Sequence, residues 1–265
     1  KGHVTGVQTC ALPISAKLFP AATALSLIGS EFKYKTSVYC AGSTAGNSES
    51  GNNPSSQDQI YSDSSGECSG DLVLVGRGDP NLSGRVLPFD KQTERDLAPI
   101  QSFRALADQI AARGLRTVKG NLIADDTYFV HQPYGMGWEH DDLTWLSAAP
   151  ASALAINDNV LFLSVFPGAA GEAAVIEEVP MTGYYALDNR ALTVPRTVTA
   201  PGGGMRRTRR SLGLGREPGS MRMMVWGEIP EGAAESSYAV ALEDPPLFAG
   251  EYLRRELASR GVMVQ

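Results

Sequence analysis

Residues 11–29 read ALPISAKLFPAATALSLIG, and the spacing of their apolar side chains sets the first element of the fold. Leu18, Ala21, Ala22, Leu25 and Ile28 recur three and four residues apart, the period of one helical face, and Gly29 follows as a stop. The spacing predicts a buried helix over 17–28 with Lys17 in its first turn. Pro20, Thr23 and Ser26 break the apolar run well short of the roughly eighteen residues a membrane helix needs. On a helix, positions three apart share a face and positions two apart are turned by about 200°. Carried one turn upstream, the helix sets Ile14 on the face of Lys17 and points Ser15 away from it.

A chain of 265 residues, 43% hydrophobic and 20% charged, can bury one large or two modest cores. Its net charge of −6 argues against a general nucleic-acid binder, which needs a basic face to neutralise phosphates. One basic cluster exists. Arg206, Arg207, Arg209 and Arg210 follow the glycines at 202–204 and read most simply as a solvated loop or hairpin edge, with an anion site as the alternative.

The first fourteen residues, KGHVTGVQTCALPI, lack the basic, apolar, small-residue order of a secretory signal. They resemble translated sequencing-adapter read-through, so 1–14 is set aside from the fold, Cys10 and His3 with it, and Ile14 is read as having overwritten an earlier residue. The other two cysteines, Cys40 and Cys68, flank a Ser/Gly/Asn-rich stretch over 42–66 that cannot form a core. The stretches KTSVYC and CSGDLVLVG on either side read as strands, which sets the cysteines where two hairpin ends meet. A disulfide closing that loop is expected, implying an oxidising compartment; two unpaired thiols are the alternative.

Downstream, strands are expected around 36–41 and 71–76, then the turn-rich GRGDPNLSGR. PIQSFRALADQIAARG is an amphipathic helix ending at Gly114, and LRTVKGNLIADD is strand-like, which gives an α/β alternation. After Pro150 the texture changes to short strands between Gly and Pro turns: NVLFLSVFPG, AVIEEVP, ALTVPRTVT, MRMMVWGEI and SYAVALE. PPLFAGEYLRRELASRG closes the chain as a helix with Pro246 near its start and Glu251 placed to pair with Arg254 or Arg255.

Five stretches then converge. AKLFPAATALSLIG, GDLVLVGRGDPNL, GNLIADDTYF, GWEHDDLTWLSAAPASALAINDN and EDPPLFAGEYLRRELASRGV resemble, in order and spacing, the class C low-molecular-mass penicillin-binding proteins, D-alanyl-D-alanine carboxypeptidases and endopeptidases of bacterial cell-wall turnover. The resemblance runs from about Ser15 to the C-terminus. It implies an α/β fold in which a penicillin-binding transpeptidase domain is interrupted, just after its Ser-x-x-Lys helix, by an inserted α/β domain with a β-rich domain nested in it. The implied boundaries are 15–36 for the start of the transpeptidase domain, 37–152 for the α/β domain with its loop at 42–66, 153–238 for the β-rich domain, and 239–265 for a return to the α/β domain.

By this resemblance Lys17 is the catalytic lysine. In such enzymes a neutral, buried lysine takes the proton of the serine three residues before it during attack on the D-Ala-D-Ala carbonyl. Here that position is Ile14, so the nucleophile is missing and Ser15 is no substitute. Ser30 and Lys33 have the formal spacing, but they follow the Gly29 stop and lead toward a strand, where residues three apart face opposite ways. The family's Ser-x-Asn and Lys-Thr-Gly motifs follow the insertion. No Lys-Thr-Gly occurs, and Ser50-Gly51-Asn52 precedes the insertion, so the chain reads as a piece truncated at both ends.

Within GWEHDDLTWLSAAP the resemblance gives Asp142 a substrate-binding role, pairing with the free ammonium of the diaminopimelate side chain in the peptide stem, with Trp138 walling the pocket. Five residues after this acid the family carries an aromatic, and Ser147 stands there instead. The plainer alternative is that Asp141 and Asp142 simply open a turn or helix. The residues Glu139, His140, Asp141 and Asp142 are consecutive and cannot converge on one ion, and His131 is isolated, so no metal site is expected. GRGDP lacks the Gly-Lys-Ser/Thr ending of a phosphate loop and reads as a turn, and no Gly-x-Ser-x-Gly elbow supports another hydrolase class.

The expectation is therefore a serine-type carboxypeptidase or endopeptidase of the periplasm or another extracytoplasmic space. It would act on peptidoglycan stems through an acyl-enzyme, be open to β-lactams in its intact form, use no cofactor, bind no nucleic acid, and carry no transmembrane segment. A non-catalytic peptidoglycan-binding or scaffold module is the competing expectation.

Overall fold

The computed structural model describes residues 16–41, 66–80, 82 and 101–265, which divide into two compact units between Lys35 and Thr36. The first unit holds α1 (Leu18–Ile28), ended by Gly29 at φ +79°, whose N–H returns to the Leu25 carbonyl at 3.2 Å. The predicted helix is present, but its predicted burial is not: no side chain of α1 is buried, and Phe19 and Leu27 are 76% and 78% exposed. Periodicity along one helix reports which face is apolar. What covers that face is decided by other parts of a molecule.

The second unit runs through β1 (Ser37–Ala41), β2 (Glu67–Cys68), β3 (Asp71–Val75), α2 (Gln101–Ala112), β4 (Thr117–Val118) and β5 (Leu122–Asp125). It continues with β6 (Val160–Phe166), β7 (Val175–Val179), β8 (Ala186–Val194), β9 (Thr197–Thr199), β10 (Met205–Arg207) and β11 (Gly213–Gly215). The last elements are β12 (Arg222–Pro230), β13 (Ser236–Ala241), α3 (Pro245–Ala258) and β14 (Met263–Val264).

Two small sheets and two helices make the α/β part. β3 lies between antiparallel β1 and parallel β5, and β4 lies between β14 and β2, parallel to both. The segment 117–125, one strand-like run in sequence, is thus split between two sheets. It breaks at Gly120, where a Cβ would overlap the Asp71 carboxylate and the Gly70 backbone. Asp71 Oδ1 accepts the Asn121 N–H there at 2.7 Å, fixing the step. Cys40 on β1 and Cys68 on β2 are joined as a disulfide.

Helices α2 and α3 pack together. Phe103, Ala107 and Ile110 of α2 are fully buried with Phe248, Ala249, Leu253 and Leu257 of α3, and the Phe103 ring meets the edge of Tyr252. Asp244 caps α3 by accepting the Leu247 N–H at 2.9 Å, with Pro245 and Pro246 filling the first turn. Of the two pairings open to Glu251, Arg254 takes it, at 2.7 Å.

The β-rich part has β6 between antiparallel β13 and β7, and β12 between antiparallel β11 and parallel β8. Alternation along β12 buries Met223 and Val225 and leaves Arg222 and Trp226 outside. β9 and β10 form a separate hairpin, as the glycine-arginine run implied. One buried cluster runs from Leu72 and Phe103 through Leu161 and Leu163 to Met223 and Ile229, so the α/β and β-rich parts share a core. Among the described residues no helix is long and apolar enough to cross a membrane.

Candidate functional site

The segment 124–159 is held by its backbone. β3 runs into Gly76 and Gly78, which lie so close to Ala153 and Phe129 that a Cβ at either glycine would overlap them. The Gly78 N–H reaches the Ala153 carbonyl at 2.9 Å, so GRGDP is a close-packed crossing. Arg77 beside it donates to Ser37 Oγ at 2.6 Å. Ser152 donates to Asp126 at 2.9 Å while its Oγ accepts the Leu154 N–H at 3.0 Å. Between these strands of chain lies a cavity of about 480 Å³ whose lining includes Asp126, Phe129, His131 and Ser152.

The far end of the segment is clamped by Asn157, Asp158 and Asn159, three successive residues at φ of 52°, 55° and 58°. A non-glycine run in the left-handed region costs conformational energy and persists only where the surroundings fix it. Asn159 holds the Pro150 carbonyl at 2.8 Å and the Ile156 N–H at 3.2 Å, and Asn157 holds the Val160 carbonyl at 2.7 Å. The sequence AINDN was visible as part of the resemblance, but nothing in its composition announced this clamp beyond the tolerance of Asn and Asp for positive φ.

Trp138 and Asp142 sit on the exposed side of this frame. Trp138 is 42% exposed, its ring 5.7 Å from that of Tyr134, with Gly135 leaving room beneath it. Burial, and then the nearby Glu243 carboxylate, push the Tyr134 phenol above its ordinary value, with Arg216 opposing. Asp142 lies in a short 3-10 helix, His140–Thr144; its N–H donates to the Glu139 carbonyl at 3.2 Å and its own carbonyl accepts from Trp145 at 2.8 Å. The carboxylates of Asp141 and Asp142 occupy the first turn, where the helix end favours negative charge, and both residues are exposed. Turn formation and an available carboxylate therefore coexist at Asp142. Ser147 is exposed nearby in sequence.

The arginine that fixes this turn was not visible in the sequence. Arg216, its side chain only 1% exposed, pairs with Glu243 and donates to the Leu143 carbonyl at 3.1 Å, next to Asp142. Glu243 also accepts the Gly219 N–H at 2.8 Å, and the guanidinium lies 5.6 Å from the Tyr185 ring centre. A buried arginine that satisfies a carbonyl and a carboxylate at once sets the position of the acidic turn. Its partners lie 73 and 27 residues away, so no local signal could have found it.

Lys17 stands at the N-terminal boundary of α1 with helical backbone angles, and it is exposed. It belongs to the first unit, whereas Trp138 and Asp142 belong to the second. Ile14, Ser15 and Ser50-Gly51-Asn52 lie outside the described residues. Ser30 is in a turn and donates to Glu31 at 3.3 Å. The triplet Lys35-Thr36-Ser37 differs from Lys-Thr-Gly in its last residue, and Ser37 opens β1. Among the described residues no three His, Cys, Asp or Glu side chains are grouped to hold a metal ion.

Residues 7–265 match the D-Ala-D-Ala carboxypeptidase 3 (S13) family. The chain belongs to that family. This S13 chain is 32% identical over 261 residues to the D-alanyl-D-alanine carboxypeptidase of Actinomadura sp. (strain R39), a match that covers 96% of this chain and 40% of that protein. In fold it is similar to penicillin binding protein 4 from Haemophilus influenzae, with a TM-score of 0.63 at 18% identity over 94% of this chain and 45% of the other. A structure of the same protein complexed with a novel beta-lactam gives a TM-score of 0.55 at 17% identity over 95% and 45%. The S13 chain thus spans about two fifths of the length of the curated relative it matches.

Proposed function

We propose that the protein carrying this chain is a serine-type D-Ala-D-Ala carboxypeptidase or endopeptidase of the bacterial envelope, acting on peptidoglycan stem peptides through an acyl-enzyme. The single observation that carries the reading is family membership over nearly the whole chain. The helix with Lys17 at its N-terminal boundary and the clamped, exposed Asp142 turn are consistent with it. In this reading the serine hydroxyl three residues before Lys17 attacks the penultimate D-Ala carbonyl and passes its proton to the lysine amine. The terminal D-Ala amine takes that proton and leaves as the ester forms, and water then hydrolyses the ester, releasing the shortened peptide and restoring the serine hydroxyl. β-Lactams acylate the same hydroxyl. With Ile14 in that position the 265-residue chain itself forms no acyl-enzyme.

The domain boundaries proposed are those implied by the resemblance, with 15–36 starting the transpeptidase domain and 37–152, 153–238 and 239–265 forming the inserted material. Asp142 pairs with the diaminopimelate ammonium and Trp138 forms a wall beside it. The site lies outside the cytoplasm, in keeping with the disulfide between Cys40 and Cys68.

The test is D-Ala release from a diaminopimelate-containing pentapeptide by the product of the complete reading frame. Activity that falls at least tenfold in kcat/KM in Asp142→Asn, with an unchanged rate on a peptide lacking the side-chain ammonium, is expected. An equal loss on both peptides would remove the role of Asp142, and no release from either would remove the enzyme reading. Ile14 favours one second reading, a non-catalytic peptidoglycan-binding module, which predicts retention of the chain on insoluble peptidoglycan without D-Ala release.

A further inference from the structure

Charge is segregated within this chain. From Pro195 to Glu217 the sequence holds Arg196, Arg206, Arg207, Arg209, Arg210 and Arg216 and no acid until Glu217, although the whole chain carries −6. Arg216 is turned inward onto Glu243, and the other five are exposed. They sit on the hairpin of β9 and β10 and at its base. The tip is made by Gly202, Gly203 and Gly204, all at positive φ, where the Ala200 N–H closes the turn on the Gly204 carbonyl at 2.9 Å. The base is tied by Thr208, whose hydroxyl donates to the Pro195 carbonyl at 2.7 Å and whose N–H donates to the Arg196 carbonyl at 3.0 Å, and by Arg210, which donates to the Ala234 carbonyl.

Among the described residues no ion pair engages Arg196, Arg206, Arg207 or Arg209. The acids near the base in the fold include Glu228, whose carbonyl accepts the Ser211 N–H, Glu231, whose N–H donates to the Val194 carbonyl, and Glu235, which follows the Ala234 that Arg210 holds.

We propose that this hairpin is a docking arm for a flexible linear polymer whose charges are phosphates. Three features select that occupant. In the hairpin register Arg206 stands opposite Val198, and Arg207 opposite Thr197, so consecutive arginines leave opposite faces of a two-stranded ribbon. A flat bilayer meets one face of such a ribbon, whereas a flexible chain reaches both. Second, residues 195–211 contain no aromatic side chain, and Met205 is the one large apolar residue there. Base stacking and membrane insertion both lack their usual partners, which leaves backbone phosphates as the matching chemistry. Third, every cation in the arm is arginine, whose planar fork engages two oxygens of a phosphate at once. The proposal does not rest on the carboxypeptidase reading.

The experiment titrates the 265-residue chain against fluorescently labelled long-chain inorganic polyphosphate by anisotropy, at salt concentrations from ~50 to ~200 mM. With about five phosphate contacts, binding weakens roughly 100-fold across that range. The variant carrying Arg196→Gln, Arg206→Gln, Arg207→Gln and Arg209→Gln, which spares the Arg210 tie to Ala234, binds at least tenfold more weakly with a flatter salt slope and an unchanged melting curve. A control with Arg222→Gln and Arg254→Gln, exposed arginines outside the arm, binds as the parent does. Poly-L-glutamate of matched charge binds at least fivefold more weakly than polyphosphate. The proposal is overturned if the arm variant binds like the parent or the control loses as much. It is equally overturned if poly-L-glutamate binds as well as polyphosphate, if phosphatidylglycerol vesicles compete better than polyphosphate, or if oligothymidylate of equal charge binds more tightly.

Discussion

Helices α1 and α3 are both legible from apolar spacing, yet they end in opposite surroundings. α3 starts on an Asp244 cap, buries Phe248, Ala249, Tyr252, Leu253 and Leu257, and meets α2 through aromatic edges. α1 has no side-chain cap and buries nothing, although Leu18, Phe19, Leu25, Leu27 and Ile28 make it the more apolar of the two. The difference teaches that helical period and burial are separate properties. One is written in the segment, the other in what meets it.

The sharpest way to break this contrast is a matched pair of truncations followed by urea unfolding. Phe248→Ala should cost about 3–5 kcal/mol, the lost transfer energy plus an unfilled cavity. Leu25→Ala should cost under about 0.5 kcal/mol, as at an exposed site. A large cost at Leu25 would mean that α1 is buried in solution.

The disulfide gives the next largest effect, because it belongs to the packed unit and ties β1 to β2 across 28 residues. In the chain-entropy model Cys40→Ser should lower stability by about 3.5 kcal/mol, and dithiothreitol should lower the parent to the same midpoint. An unchanged midpoint in reductant would show that the loop closure contributes nothing.

The smallest effect concerns the ion pairs that bind α2 to α3. The hydrogen bond from Arg260 holds the Asp108 carboxyl below its usual range. Burial pushes the Glu256 carboxyl up, but hydrogen bonds from Arg260, Tyr252 and Arg104 outweigh it, and the net direction is down. Both folded-state values lie below the unfolded ones. The stabilisation is therefore complete above the ordinary carboxylate range near pH 4 and is lost as pH falls through the lower folded values. Arg260→Gln should be modestly less stable than the parent at pH 7, with the gap closing in strong acid. A gap that stays constant down to pH 2 would assign the loss to packing instead.

What could be read from the sequence follows the same division. Period alone gave α1, α2 and α3, the strands β6, β7, β12 and β13, and Gly114 as the end of the second helix, because each is a local pattern. The two-residue strands β2, β4 and β14 are too short to show a period and exist through parallel pairing between distant segments. Gly120 looked like an ordinary glycine within a strand until Asp71 approached it.

At the site, Asp142 and Trp138 came forward through resemblance, since two adjacent acids also open turns for purely local reasons. Arg216 stayed hidden because its role is defined by Leu143 and Glu243, both remote in sequence. The Asn157, Asp158 and Asn159 clamp was hidden for a different reason. Asn and Asp tolerate positive φ, but whether a given run adopts it is settled by tertiary contacts such as the Pro150 carbonyl.

The central proposal is that this S13-family chain carries the lysine of a nucleophile pair at Lys17 and isoleucine at the position proposed for the hydroxyl. Incubating the 265-residue chain with a fluorescent penicillin and resolving it on a denaturing gel tests this most directly. The account predicts no covalent band at any incubation time. A band that unlabelled penicillin competes away would contradict it, by showing a working nucleophile at another serine.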